Sequence, residues 1–466
     1  MNLGAAERPL RDLLGAIGWD DAPVERLTIE ERPKVLATPW PVAPLAAAVL
    51  GAVGLAASRI RELRTGERPR ISLDMREAEL AMASSSYLLV DGKPAKFRDP
   101  FTGFYEAAGG EWVYLHGNFP HLRDGLLALL SVANDADAVK AAVAERRAED
   151  IEAEAIRRGL CAARVRERSA WLREPQAAVI AAQPLVHLER SEAAAAMPLL
   201  PGGERPLSGL RMLDLSRVIA GPMAGRTMAE HGATVMRIAS PRLPSIPSLV
   251  IDTGFGKHAA FAELDTAEGR ASLRALAADA DIVLDAYRPA SLRGRGFGPD
   301  DLGRLNPHLI HLSLSAFSLQ GPWQGRRGYD SLVQATTGMA AEGREGRGPA
   351  LLPCQPLDYL TGYLAAFAAM LALIRRHEQG GRWQATLSLA ATAHWMWRMR
   401  DALGDDATYP SANPDVAAVA DLLDTHDTTF GRVTALRPAL RFDGARAGWS
   451  RMPVPLGSDP AYWPRS

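Results

Sequence analysis

Two apolar stretches, residues 45–57 and 364–373, stand out from an otherwise mixed chain. Each runs into charged residues (Arg59, Arg61, Glu62 and Arg64; Arg375 and Arg376) and then into a glycine turn, which is how a buried helix ends. Both apolar runs are too short to span a bilayer, so the pattern predicts two core helices. From residue 210 the pattern alternates. Apolar stretches at 210–215, 233–238, 281–285 and 308–313 predict strands, and stretches at 223–231 and 268–278 predict helices. Alternating strands and helices imply a parallel sheet with covering helices, an α/β fold. The earlier residues follow a different pattern: a short helical segment within 11–29, a strand at 70–75 and a hairpin over 105–115 around Gly109-Gly110. Charged helices follow at 135–158, then a buried strand or turn at 159–165. Residues of about 100–165 therefore read as a smaller α/β domain. The Pro/Gly-rich stretch 197–206 separates 1–204 from 205–466. The tail from 401 shows little periodicity before 436.

Composition narrows the class. The 466 residues are 47% hydrophobic and 23% charged, which is ordinary for a globular protein. A net charge of −1 supplies no global field for nucleic acid or an anionic membrane, so neither is an expected partner. Cys161 and Cys354 are the only cysteines, too few for a disulfide framework or a zinc cluster, so no metal is expected. Residues 1–9 lack a basic region followed by an apolar core, so no signal peptide is expected and a reducing cytoplasm is the natural compartment.

The candidate chemistry centres on Asp358, the only charge between Arg347 and Arg375. It lies between the Gly/Pro-rich loop 342–349 and the second apolar helix. A carboxylate there is either a helix N-cap or a desolvated reactive group. A second feature is the arginine content of the loops expected at strand ends: Arg217, Arg288, Arg293, Arg295, Arg326 and Arg327. Arginines there suit phosphate or form a solvated basic rim. No dinucleotide fingerprint or P-loop is present. His116, Asn118 and His121 cluster in one predicted loop, where histidines without a partner acid are usually solvated.

Several motifs resemble a known family. Asp214-Leu215-Ser216-Arg217-Val218-Ile219-Ala220-Gly221-Pro222 is followed in order by Gly256-Lys257, Thr266-Ala267-Glu268-Gly269, Tyr287-Arg288-Pro289, Gly328-Tyr329-Asp330 and Asp358 with Thr361-Gly362. Over about 205–400 this series resembles the family III CoA-transferases, the formyl-CoA transferase or CaiB/BaiF family. The resemblance implies a Rossmann-like CoA-binding and catalytic half at 205–466. Asp358 matches the family's nucleophile. Val218, Ile219, Ala220, Lys257, Ala286, Tyr287, Arg288 and Arg327 match its CoA-contact positions. Residues 1–204 resemble the family's second half, so the halves stand in swapped order. Arg382 lies 314 residues after Arg68, and the segments they open echo one another; the same offset places Pro44 opposite Asp358. The pattern departs at Ala239, where the family carries an acid, and at Gly294.

The implied activity is transfer of CoA between an acyl-CoA and a small carboxylic acid, through an aspartyl anhydride and an aspartyl-CoA thioester. CoA is then a substrate, no cofactor is permanently bound, and a homodimer is expected. Backbone N–H groups near Gly338 or Gly343 are candidate oxyanion donors. The alternatives are an α-methylacyl-CoA racemase-like enzyme, which would need a histidine where Tyr329 stands, and a non-catalytic CoA-binding protein.

Overall fold

A computed structural model describes residues 3–95, 98–343, 348–404 and 408–464; residues 344–347 of the Gly/Pro-rich loop lie outside the described set. Its main sheet has seven strands: β1 (His187–Glu192), β2 (Arg211–Leu215), β3 (Thr234–Ala239), β4 (Lys257–Phe261), β5 (Ile282–Asp285), β6 (Ile310–Ser315) and β7 (Arg382–Ser388). The spatial order is β4-β3-β2-β5-β6-β7-β1. All neighbours are parallel except β1, which pairs antiparallel with β7 at the edge. The order reverses between β2 and β5. A crevice opens at such a reversal because the two following connections leave to opposite faces. The expected α/β class and parallel sheet are therefore present.

Five helices frame this crevice and the core beside it: α1 (Val42–Thr65), α2 (Ala220–Glu230), α3 (Asp330–Thr336), α4 (Pro356–Gln379) and α5 (Leu389–Leu403). The two apolar runs are longer as helices than as apolar stretches, because Arg59 to Arg64 and Arg375 to His377 continue the helical turns. Both helices have the length and apolarity to cross a membrane, yet 94% and 100% of their most apolar windows are buried inside the fold. They pack in one core with residues from Leu3 to Leu440. The offset of 314 recurs here: shifted by it, Val42–Thr65 falls on Pro356–Gln379, and Met75 falls on Leu389, the first residue of α5. The N-terminal copy contributes a parallel strand pair, Leu27–Glu30 with Ile71–Asp74, to a four-stranded sheet completed by Arg441–Phe442 and Ala445–Arg446 of the tail.

A three-stranded antiparallel sheet (Gly103–Glu106, Trp112–Leu115, Ala162–Arg164) has its own core of Phe101, Leu115, Leu126, Val143 and Ile151. It touches the main body through Glu152, whose carboxylate bonds both Arg166 (2.6 Å) and Arg326 (2.7 Å).

Two expectations fail. The helical segment within 11–29 stops at Ala16, and Leu27–Glu30 is a strand. Gly18 and Pro23 follow the end of the helix and keep it from continuing, while Leu27 and Ile29 are buried between exposed Thr28 and Glu30. The tail contains a hairpin, Leu423–Thr428 with Gly431–Leu436, before the position where periodicity was expected. Its first strand (LDTHDT) carries too few apolar residues to announce itself.

Candidate active site

The crevice opens as a cleft of about 560 Å³ above the ends of β2, β5 and β6. Its lining includes Val218, Ala220, Ala286, Tyr287, Arg288, Arg327, Tyr329 and Asp358. Residues 130 or more positions apart thus meet in one place, because strand ends and two helix N-termini converge there.

Helix α2 begins at the cleft, and no side chain caps it. The N–H groups of Ala220 and Gly221 open that first turn and carry the positive end of the helix dipole. The connection from β2 holds Val218 at φ +72°, an unusual conformation for a β-branched residue. Such strain persists only where the surroundings enforce it, and it is concentrated at functional loops. Gly221 is required here, since a Cβ on it would lie 2.3 Å from that of Ser216.

Asp358 occupies the third position of α4 and is 7% exposed. It is not the helix cap. That role belongs to Asp330, whose Oδ2 accepts from the backbone N–H groups of Leu357 (2.8 Å) and Asp358 (3.1 Å). The Gln334 side chain donates to the other Asp330 oxygen and accepts from the Leu352 N–H at 2.9 Å. The Asp358 carboxylate accepts no hydrogen bond from any described residue and faces the cleft. Burial drives its pKa well above the ordinary carboxylate value, and the nearby Asp330 charge adds to this. Burial also lifts Asp330 to about 6, opposed by the hydrogen bonds it accepts.

The motif around Asp358 has a packing role. A Cβ on Gly362 would lie 2.6 Å from the Ala220 carbonyl oxygen, so glycine lets α4 cross close to the start of α2. Thr361 and Thr392 join α4 to α5 through a hydroxyl pair at 2.7 Å.

Residues 207–435 match the profile of CoA-transferase family III. That segment belongs to the family. It is 35% identical over 205 residues to the acetyl-coenzyme A transferase nodX of Hypoxylon pulicicidum, covering 42% of this chain and 34% of the relative. Identity is also 35% over 193 residues to the probable fatty acyl-CoA transferase Rv3272 of Mycobacterium tuberculosis, covering 38% and 48%. An acyl-CoA transferase of Gibberella moniliformis is 27% identical over 394 residues, covering 74% of this chain and 68% of the relative. The chain thus spans between a third and a half of the length of the first two.

Of the family-matched positions, seven line the cleft: Val218, Ala220, Ala286, Tyr287, Arg288, Arg327 and Asp358. Two do not. The Ile219 side chain is buried in the core at 3% exposure. Lys257 is 1% exposed, and its ammonium is held by Asp214 Oδ2 (2.7 Å) and the Pro222 carbonyl (2.6 Å) beneath α2. Gly225 leaves room for that pair, since a Cβ there would lie 2.9 Å from both charged atoms. The Lys257 side chain is therefore a structural ion-pair member rather than part of the lining, and desolvation pulls its pKa down to about 8.

The arginines divide by partner. Arg326 is tied to Glu152 and lies 4.1 Å from the Trp323 ring centroid. Arg295 pairs with Asp265 at 2.7 Å, and Arg217 donates to the Pro244 carbonyl. Arg288 and Arg327 line the cleft and make no ion pair with a described residue, and Arg217, bonded to a neutral carbonyl, also keeps its charge uncompensated there. Gly338 and Gly343 are not among the lining residues, and Gly338 packs against the backbone of Arg168.

Of the histidine cluster expected to be solvated, His121 reaches the cleft wall from the smaller domain. Its neighbour Asn118 is structural, accepting from the Asp99 N–H and the Thr102 hydroxyl. Beside Ala239, the acid missing from β3 has a neighbour on the adjoining strand: Glu263 follows β4, lines the cleft and accepts from Ser240 Oγ at 2.9 Å. Only the register of β3 with β4 brings these two together.

Proposed function

We propose that this protein transfers CoA between an acyl-CoA and a free carboxylic acid, with Asp358 as the nucleophile. The observation that carries the proposal is a buried carboxylate at the cleft that accepts no hydrogen bond from a described residue, its capping duty taken by Asp330. In the first step Asp358 oxygen bonds to the thioester carbonyl carbon, the C–S bond breaks, and CoA leaves as thiolate. The product is an aspartyl anhydride. The thiolate then attacks the aspartyl carbonyl and expels the donor acid as carboxylate, leaving an aspartyl-CoA thioester. The acceptor carboxylate attacks that carbonyl and expels thiolate, forming a second anhydride. Return of the thiolate to the acceptor acyl carbon gives the new acyl-CoA and frees Asp358. No net proton or electron moves, so the cycle needs no metal or redox partner. Each step replaces one difficult exchange by an easier one.

The Ala220 and Gly221 N–H groups offer donors to the oxyanions. Arg288 and Arg327 offer charge to the phosphates of CoA, whose remote binding energy positions the thioester. Burial of both thiols, Cys161 and Cys354, fits a reducing cytoplasmic setting, and a homodimer remains part of the proposal.

Racemisation finds less support. It needs a second acid–base group opposite Asp358, and Tyr329 holds that place with its hydroxyl pKa raised by burial. His116 stacks under Tyr329 at 4.1 Å, but burial holds its pKa down to about 3, so it stays neutral. A non-catalytic CoA-binding role would leave the unpartnered Asp358 unexplained.

Incubation with acyl-CoA and hydroxylamine, followed by mass analysis, tests the nucleophile. The expected result is a hydroxamate on Asp358 in the parent protein, with no adduct and no transfer in Asp358→Ala. Ordinary transfer by Asp358→Ala rejects the assignment.

A further inference from the structure

The cap of α4 lies next to the reacting group and does more than end a helix. Asp330 is 2% exposed, and one of its oxygens receives two backbone donors, one of them the N–H of Asp358 itself. The usual capping arrangement places the acid on the residue just before the helix. That residue is Gln355, whose side chain caps nothing. The acid comes instead from α3, 28 positions away in sequence, with Gln334 fixing the orientation of its carboxylate. We infer that Asp330 is a positioning residue for the reaction, capping α4 in place of Asp358 and using its own negative charge to press Asp358 toward acylation. This inference rests on the nucleophile reading.

The chemistry follows from charge. When Asp358 becomes an anhydride it loses its negative charge, so repulsion from Asp330 is present before the step and absent after it. The capping contacts do not change during the step, because the backbone N–H groups stay where they are. Capping fixes the direction of the first turn, and repulsion favours the acylated state.

The other titratable groups facing the pair do not change charge near neutral pH. The Tyr114 and Tyr329 hydroxyls and the Cys354 thiol are all raised by burial, and His116 is pushed down to about 3. The guanidinium of Arg98 acts on Asp330, and those of Arg217 and Arg327 act on Tyr329. Of this group, Asp330 is lifted to about 6 and Asp358 is raised well above the ordinary carboxylate value.

Asp330→Asn removes the charge and retains an acceptor for the two N–H groups. Asp330→Ser is the second variant, with a capping hydroxyl and no charge. In both, the acidic limb of the pH profile of kcat/KM should move to lower pH by at least about half a unit. The plateau kcat should fall about threefold, as expected of a less basic nucleophile. KM for acyl-CoA should stay within about twofold of the parent, since no phosphate contact is touched. An unmoved limb in a folded variant overturns the inference, and so does loss of the fold in both, which would assign Asp330 to the cap alone. Asp358→Asn, assayed alongside, separates the failures. If it transfers CoA normally, the nucleophile reading itself fails. If it is inactive while the Asp330 limb is unmoved, only the role of Asp330 falls.

Discussion

Replacing Asp358 by Asn should make the protein more stable, by an amount that depends on pH. The folded protein holds a proton on Asp358 more tightly than the unfolded chain does, because burial and the Asp330 charge both disfavour the carboxylate. Stability from this group is therefore complete below the unfolded pKa near 4 and is lost as pH rises through the higher folded value. Asparagine does not titrate, so the variant escapes that loss. Within the window between the two pKa values, the difference in unfolding free energy should grow by up to about 1.4 kcal/mol per pH unit, then level off above it. Other raised carboxylates, Glu79, Glu230 and Asp285 at about 7 and Asp330 at about 6, lose stability in the same direction. Glu79, Glu230 and Asp285 are present in both proteins and cancel in the difference, whereas Asp330 interacts with the Asp358 charge, so its change is part of the measured difference. Urea unfolding followed by the fluorescence of the ten tryptophans, at pH 5, 6, 7 and 8, measures this directly. A difference that is flat across the series, or a parent that is the more stable at pH 8, would show that Asp358 is not desolvated and would remove the physical basis for its reactivity.

Two further substitutions probe the frame around the site. Gly362→Ala puts a methyl group 2.6 Å from the Ala220 carbonyl, so α4 and the start of α2 must separate; we expect a loss of about 1–3 kcal/mol by urea unfolding, together with a higher KM for acyl-CoA. Unchanged stability would mean that the crossing is looser than described. Lys257→Met strands Asp214 in the core and should cost about 3–5 kcal/mol, while the protein that remains folded keeps its KM. A selective rise in KM at intact stability would return Lys257 to the ligand site.

Much of this was legible in the sequence because the controlling signals are local. Alternation of apolar strands with helices between 210 and 315 is enough for a parallel sheet, and the motif series around Asp358 is specific to its family. What could not be read depends on which distant residues meet. An isolated acid at the start of an apolar helix is ambiguous between cap and reactive group, and only the arrival of Asp330 from α3 decides it. Lys257 looks the same in sequence whether its ammonium turns outward to a phosphate or inward to Asp214. His121 and Glu263 reach the cleft through packing of the smaller domain and strand register, neither of which leaves a periodic trace. The strand at Leu27–Glu30 is short enough that four residues of alternation are lost among helix-compatible neighbours.

The twin helices α1 and α4 set a ceiling on chemical capacity. Their matched lengths place Pro44 in the first turn of one where Asp358 stands in the other, and proline offers no oxygen to capture an acyl group. Saturating labelling should accordingly deposit a single acyl equivalent on each 50.1 kDa of protein, however the chains assemble. The N-terminal member of this matched pair packs against its reactive twin and fills the core beside it.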